Sequence, residues 1–183
     1  MIKRVFDLFF GICLVLLLSW LFLLVLLFAI FDTQTSGVFI QKRIGQFGIP
    51  FSIYKFRTIH PKTKAISRGG RLLRKLKLDE LPQLLNVING SMSVVGPRPD
   101  IEGYYDQLKG NQSTLLKLKP GLTCEATIKY RDEETLLKQQ EFPLRYNDEV
   151  IFPDKVQMNL AYYKQQSFLG DLKIIWKTIT CLF

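Results

Sequence analysis

"KLKLDELPQLLNVING", residues 75–90, places two adjacent acids, Asp79 and Glu80, behind a basic, leucine-rich run and just ahead of a proline. Pro82 has no N–H to donate, so a helix accepts it only in its first turn. That puts Asp79 or Glu80 at or near an N-cap, with Leu81, Leu84, Leu85 and Ile88 as the apolar face of the helix that follows. The two carboxylates would then stand at the positive end of a helix dipole. Acids at helix starts are commonly structural caps, so the pair acquires chemical meaning only from its surroundings.

Upstream, Lys62 to Lys77 holds seven Lys/Arg and no acid. Leu72, Leu73, Leu76 and Leu78 interleave with Arg71, Arg74, Lys75 and Lys77, the pattern of a basic amphipathic helix lying on an anionic bilayer. Further upstream, two β-rich runs, Val38–Arg43 and Pro50–Thr58, flank a Gly45–Gly48 turn and predict a hairpin. One face of its second strand carries Lys55 and Arg57. Downstream, Gly96-Pro97-Arg98-Pro99 predicts a rigid, non-helical turn that presents one guanidinium, a group suited to bidentate phosphate binding. Together these residues suggest phosphoryl transfer: a carboxylate nucleophile, a second acid for a divalent ion, and cations for the phosphate oxygens.

The N-terminal region decides where this chemistry happens. From Leu8 to Phe31 the chain runs 24 residues without a charge, longer than the ~20 a bilayer helix needs and longer than a signal-peptide core. Lys3 and Arg4 precede it, while Lys42, Arg43, Lys55 and Arg57 follow it, so the positive-inside tendency draws both flanks to the cytoplasmic face. A helix that dips in and turns back satisfies this, and a straight spanning helix does not; hydropathy alone allows both. Asp7, at the apolar edge, calls for a partner, and Lys3 or Arg4 shares its helical face. Ser19, near the midpoint, can hydrogen-bond the backbone at a bend, although serine also sits in straight helices.

The rest of the composition narrows the classes. The 183 residues suffice for one compact domain plus this appendage, which we divide as a membrane-anchoring segment 1–35 and a catalytic domain 36–183 at the membrane interface. A net charge of +9 favours anionic partners. Charge alone would also suit a nucleic-acid binder, but the acid pair would then have no role. Cys13, Cys124 and Cys181 lie at no metal-ligand spacing, and His60 is assigned nothing. Leu118–Thr123 reads as a Pro-Gly turn leading into a β-rich segment from Cys124 to Tyr130. In the tail, Leu172, Ile175, Trp176 and Ile179 recur at helical spacing, with core packing expected and a membrane-surface helix the alternative.

These segments assemble into a known pattern. "KRVFD" (3–7), "QKRIG" (41–45), "YKFRT" (54–58), "LDELPQLLNVINGSMSVVGPRP" (78–99), "KPGLT" (119–123) and "SFLGDLKI" (167–174) resemble the bacterial sugar transferases, the small monotopic polyprenyl-phosphate phosphoglycosyl transferases, over nearly the whole chain. The resemblance implies Asp79 as nucleophile and Glu80 as its partner at Mg2+, acting on a UDP-sugar, with release of UMP and transfer of the phosphosugar to polyprenyl phosphate. It implies Arg98, Lys55 and Arg57 as cations for the phosphates, and a catalytic domain on the cytoplasmic face of the bacterial inner membrane. The expected fold is α/β (α+β): a membrane-embedded, re-entrant helix, interfacial amphipathic helices and a small β-sheet. Membrane lipids are expected partners and nucleic acid is not; a homo-oligomer is compatible with the sequence.

The chain also departs from the family pattern. Trp20 follows Ser19 where many members have a proline, Ser91 and Asn159 each stand where members commonly have an aspartate, and "CEATIKYRDEE" (124–134) replaces a glycine-containing version. These differences motivate a rival reading, a catalytically inactive scaffold for glycan assembly, although Asp79, Glu80 and Arg98 are all retained.

Overall fold

A computed structural model describes residues 2–182, the last by its backbone only. Helices dominate: α1 (Ile2–Leu17), α2 (Ser19–Thr33), α3 (Arg68–Lys75), α4 (Gln83–Asn89), α5 (Glu125–Lys129), α6 (Glu133–Lys138), α7 (Pro143–Tyr146), α8 (Phe152–Gln165) and α9 (Phe168–Leu182). The strands β1 (Val38–Ile44) and β2 (Pro50–Phe56) form one two-stranded sheet, and β3 (Ser93–Val95) and β4 (Gly121–Thr123) the other. The mixed helix-and-sheet class is as expected. Contacts group the chain into two units, one running to Arg43 and resuming over Ile49–Val94, the other comprising Ile44–Gly48 and Val95 onward.

In the first unit the apolar segment is a bent pair. No single described helix is long and apolar enough to cross a membrane, but α1 and α2 meet at 67°. The break is at Leu18, whose ψ of 11° leaves the helical path while Leu18 N–H still donates to Leu14 O and Phe22 N–H to Leu18 O. No proline causes the bend; each half docks on a different element. Helix α1 lies on α4, so closely at Gly11 that an added Cβ would come within 3.1 Å of Ile88. Helix α2 buries a stripe of Val25, Ala29 and Thr33, with Val25 and Ala29 against Phe56 of β2 and Leu73, Leu78 and Leu81 packed around them. Its other side leaves Trp20, Leu23, Leu24, Leu27 and Phe31 exposed.

Asp7 and Arg4 reach far across the sequence. Asp7, only 2% exposed, accepts from Val94 N–H at 3.0 Å. Arg4 donates to the carbonyls of Val87 and Ile88 at 2.6 and 2.7 Å, adding side-chain donors at the last turn of α4, where Gly90 N–H also reaches Val87 O. Lys3 is half-buried, and Ser19 is the exposed first residue of α2.

Three local expectations need correction. First, neither acid caps α4. Lys77 turns left-handed (φ 57°) and stops α3; Leu78–Glu80 forms its own 3-10 turn; the residue before α4 is Pro82, with no side-chain cap. Successive tight bonds, Glu80 N–H to Lys77 O and Leu84 N–H to Leu81 O, carry the chain past a proline that needs no donor. Leu85 is also 44% exposed, while Gln83 and Asn86 are buried with Leu84 and Val87. Second, the segment after Cys124 is helix α5, not strand, because the Cys124 sulfur accepts from Thr127 N–H and caps it. Third, the apolar stripe of the tail is not core: Trp176 is 68% exposed, and Leu172 and Ile179 are exposed with it, whereas Asp171 and Ile174 of α9 are buried. The basic helix is shorter than its charge run, α3 starting only at the Ser67 cap.

The second unit packs Ile44, Tyr105, Leu115 and Val156 into its core. A π-helical turn, Asn147–Ile151, joins α7 to α8 and brings Asn147 and Asp148 to the Tyr104 hydroxyl.

Candidate active site

The acid pair lies in the first unit, on the 3-10 turn between α3 and α4, its flanking leucines Leu78 and Leu81 held against α2. Strand β2 supplies Lys55, whose Nζ donates to Glu80 Oε1 at 3.0 Å, with both side chains about one-sixth exposed at 17% and 16%. Asp79 is treated differently. Its Oδ1 is buried and has no hydrogen-bond partner among the described residues. A carboxylate desolvated in this way resists ionisation. Burial first, then the neighbouring Glu80 charge, raises its pKa from 3.8 to about 6, with Lys55, Arg74 and Lys77 pulling the other way. The group sits near neutrality, within reach of three cations.

The structure therefore joins Asp79, Glu80 and Lys55 and adds Arg74 and Lys77, which sequence reasoning had read only as the polar face of an amphipathic helix. Their spacing, five and two positions before Asp79, was the available signal. Arg57 is differently engaged: its guanidinium lies 5.2 Å above the Phe39 ring centre, donates to Val38 O, and keeps a buried Nε that has no partner among the described residues. Arg98 belongs to the second unit. There its turn is clamped by main chain, Gly96 N–H donating to Thr123 O at 3.0 Å and Gly121 N–H to Pro97 O at 2.8 Å. A Cβ on Gly121 would overlap the Gly96 backbone, so only two glycines let the strands cross this closely.

The departures from the family pattern have local explanations. Ser91 Oγ donates toward Asn86 O and Asn89 Oδ1, and Ser91 N–H donates to Asn89 Oδ1, which closes the turn after α4. Asn159 is buried, its Nδ2 donating to the Tyr105 hydroxyl at 2.9 Å. Burial pushes that hydroxyl far above the ordinary tyrosine range, so it stays protonated.

Among the described residues no group of three or more His, Cys, Asp or Glu could hold a metal ion by itself. Two neighbouring carboxylates, one with an unpartnered buried oxygen, are nevertheless a donor set Mg2+ accepts when substrate phosphates and water complete its shell.

Known proteins resemble the chain along its length. A Bacillus subtilis protein named uncharacterized sugar transferase EpsL is 33% identical, the match spanning 97% of this chain and 85% of that protein. The UDP-glucose:undecaprenyl-phosphate glucose-1-phosphate transferase of Caulobacter vibrioides is 32% identical over 98% of this chain and 69% of its own length. The protein of the same name from Escherichia coli is 30% identical over 98% of this chain and 39% of its own. The bacterial sugar transferase profile matches residues 1–183. With that match and these relatives, the chain belongs to the bacterial sugar transferase family and is a transferase enzyme.

Proposed function

We propose that the protein is a polyprenyl-phosphate phosphoglycosyl transferase, catalysing the first membrane step of a polysaccharide or glycoconjugate pathway. It moves a phosphosugar from a UDP-sugar to undecaprenyl phosphate through a covalent intermediate on Asp79. An Asp79 carboxylate oxygen bonds to the β-phosphorus while the bond from that phosphorus to the bridging oxygen breaks, and UMP departs with that oxygen. A phosphate oxygen of the polyprenyl phosphate then bonds to the same phosphorus, the aspartyl–phosphorus bond breaks, and the carboxylate returns. The product is a polyprenyl-diphospho-sugar.

The observation that carries this reading is the buried, unpartnered Oδ1 of Asp79 beside the Lys55–Glu80 pair, Arg74 and Lys77. A structural acid would have its hydrogen bonds satisfied; a nucleophile keeps an oxygen for the substrate. Arg74 and Lys77 offset the charge of an arriving diphosphate, and Arg98 and Arg57 are assigned to the same task. Glu80, with Asp79 beside it, would hold Mg2+, which when bound neutralises phosphate charge and lowers the barrier to anion meeting anion. The bent α1–α2 pair, its exposed side rich in Trp, Leu and Phe, is assigned to the membrane as a re-entrant element with both ends cytoplasmic. The relatives named for UDP-glucose and undecaprenyl phosphate support the donor and acceptor classes.

The test is mass spectrometry of the protein in lipid nanodiscs with Mg2+ and a panel of UDP-sugars, without acceptor. The expected result is a phosphosugar adduct on the Asp79 peptide, formed with UMP and discharged by undecaprenyl phosphate. Neither adduct nor UMP with any donor, even with acceptor present, would favour the scaffold reading.

A further inference from the structure

Resting on that reading, the first unit contains a residue whose placement the reaction steps leave unexplained. Asn86 is 1% exposed, in the middle of α4. A buried amide is costly unless its groups are paired, and each of the two groups on this one is used. Its Oδ1 accepts from Tyr54 N–H at 3.2 Å, and its Nδ2 donates to Ser52 O at 2.8 Å and to Ser91 Oγ at 3.1 Å. The orientation of the amide is unambiguous, because Tyr54 N–H can only donate and Ser52 C=O can only accept. One carbonyl and the N–H two residues later are the pair that a parallel strand would bind. Asn86 thus stands in for a third strand at the edge of β2.

The residue after Tyr54 is Lys55, and Lys55 holds Glu80. The contacts form a closed circuit: from Glu80 along the chain through Pro82 and α4 to Asn86, across to Ser52 and Tyr54, one residue on to Lys55, and back to Glu80 Oε1. A helix and a strand have little slack, so displacing the strand edge displaces the ammonium. We propose that Asn86 is a positioning residue that fixes the edge of β2, sets where Lys55 stands, and through Lys55 aims the Glu80 carboxylate. Lys55 in this arrangement orients a carboxylate and is not itself a ligand of the donor phosphates.

The experiment is a double-mutant cycle on donor-dependent UMP release, with Asn86→Ala, Lys55→Met and the pair, reading kcat and the donor KM separately. Lys55→Met is expected to lower kcat by about 100-fold and Asn86→Ala by about tenfold, the scale of misplaced catalytic groups, with KM changed less than about threefold. The double variant should be no slower than Lys55→Met alone, because Asn86 acts through Lys55. Multiplying losses, or a raised KM at unchanged kcat in either single variant, would overturn the proposal. If Asn86→Ala does not fold, Asn86→Asp, which keeps the acceptor for Tyr54 N–H, replaces it in the cycle. Asp79→Asn measured alongside separates the failures. If it retains turnover, the covalent reading falls and the positioning role with it; if it loses turnover while the cycle is multiplicative, only the positioning role falls.

Discussion

The Asp79–Glu80 segment and the Arg98 turn are built by opposite means. Around Asp79 the chain is held by side chains: Arg4 on the end of α4, Asn86 on the edge of β2, Lys55 on Glu80. Around Arg98 it is held by main chain, two glycines crossing so closely that neither tolerates a Cβ, and Asp100 O accepting from Ile44 N–H. A side-chain mount can be loosened one bond at a time. A backbone mount holds or fails as a whole.

The sharpest break in this contrast is at its chemical end. On the proposed covalent mechanism, Asp79→Asn should reduce UMP release by at least about 1000-fold, while the apoprotein becomes more stable. The folded Asp79 carboxyl keeps its proton up to about pH 6, against 3.8 ordinarily. The stability this lends is complete below 3.8 and lost as pH rises through about 6, so at pH 7 the folded chain carries a buried charge that unfolding would return to water. Replacing that charge with an amide should recover on the order of 2 kcal/mol and raise the thermal midpoint by several degrees. For the wild type, the rate of UMP release should climb through about pH 6 as the Asp79 carboxyl ionises, and a flat profile from pH 5 to 8 would count against the proposed mechanism.

Gly121→Ala should come next, costing about 3 kcal/mol or more because backbone must move. Gly110→Ala, at positive φ (57°) but with nothing within 4 Å of the added Cβ, should cost only about 1 kcal/mol of left-handed strain. Chemical denaturation of the two variants compares them directly, and equal losses would remove the clamp from the account. Arg4→Met should cost about 1–3 kcal/mol by removing two side-chain hydrogen bonds from the end of α4. The smallest effect is expected from Thr178→Val, which breaks the 2.6 Å hydroxyl pair with Thr123 behind the clamp, at about 1 kcal/mol.

How much of this could be read in advance follows the same division. The β1–β2 hairpin was legible because alternation and a glycine turn are local signals, and Asp79 and Glu80 were legible as a pair. The expected N-cap was wrong because Pro82 permits a helix start without requiring one, and a left-handed Lys77 interposed a separate turn. The segment after Cys124 misled because Ala, Ile, Thr and Tyr suit strand and helix alike once a sulfur serves as the cap. The bend at Leu18 carried no proline or glycine, being set by where each half docks. Arg4 and Asn86 find partners 83 and 34 positions away, beyond any periodicity. Arg74 and Lys77 were hidden among neighbours of the same charge.

The buried stripe of α2 has a practical consequence for anyone preparing this enzyme. Deleting the apolar N-terminal segment to obtain a smaller catalytic fragment would remove Val25 and Ala29 from beneath Phe56, Leu73, Leu78 and Leu81, and Asp7 and Arg4 from Val94 and α4. That segment is half of the hydrophobic core on which the Asp79 turn rests. Preparations therefore have to keep the chain intact, and a trimmed version should precipitate rather than purify.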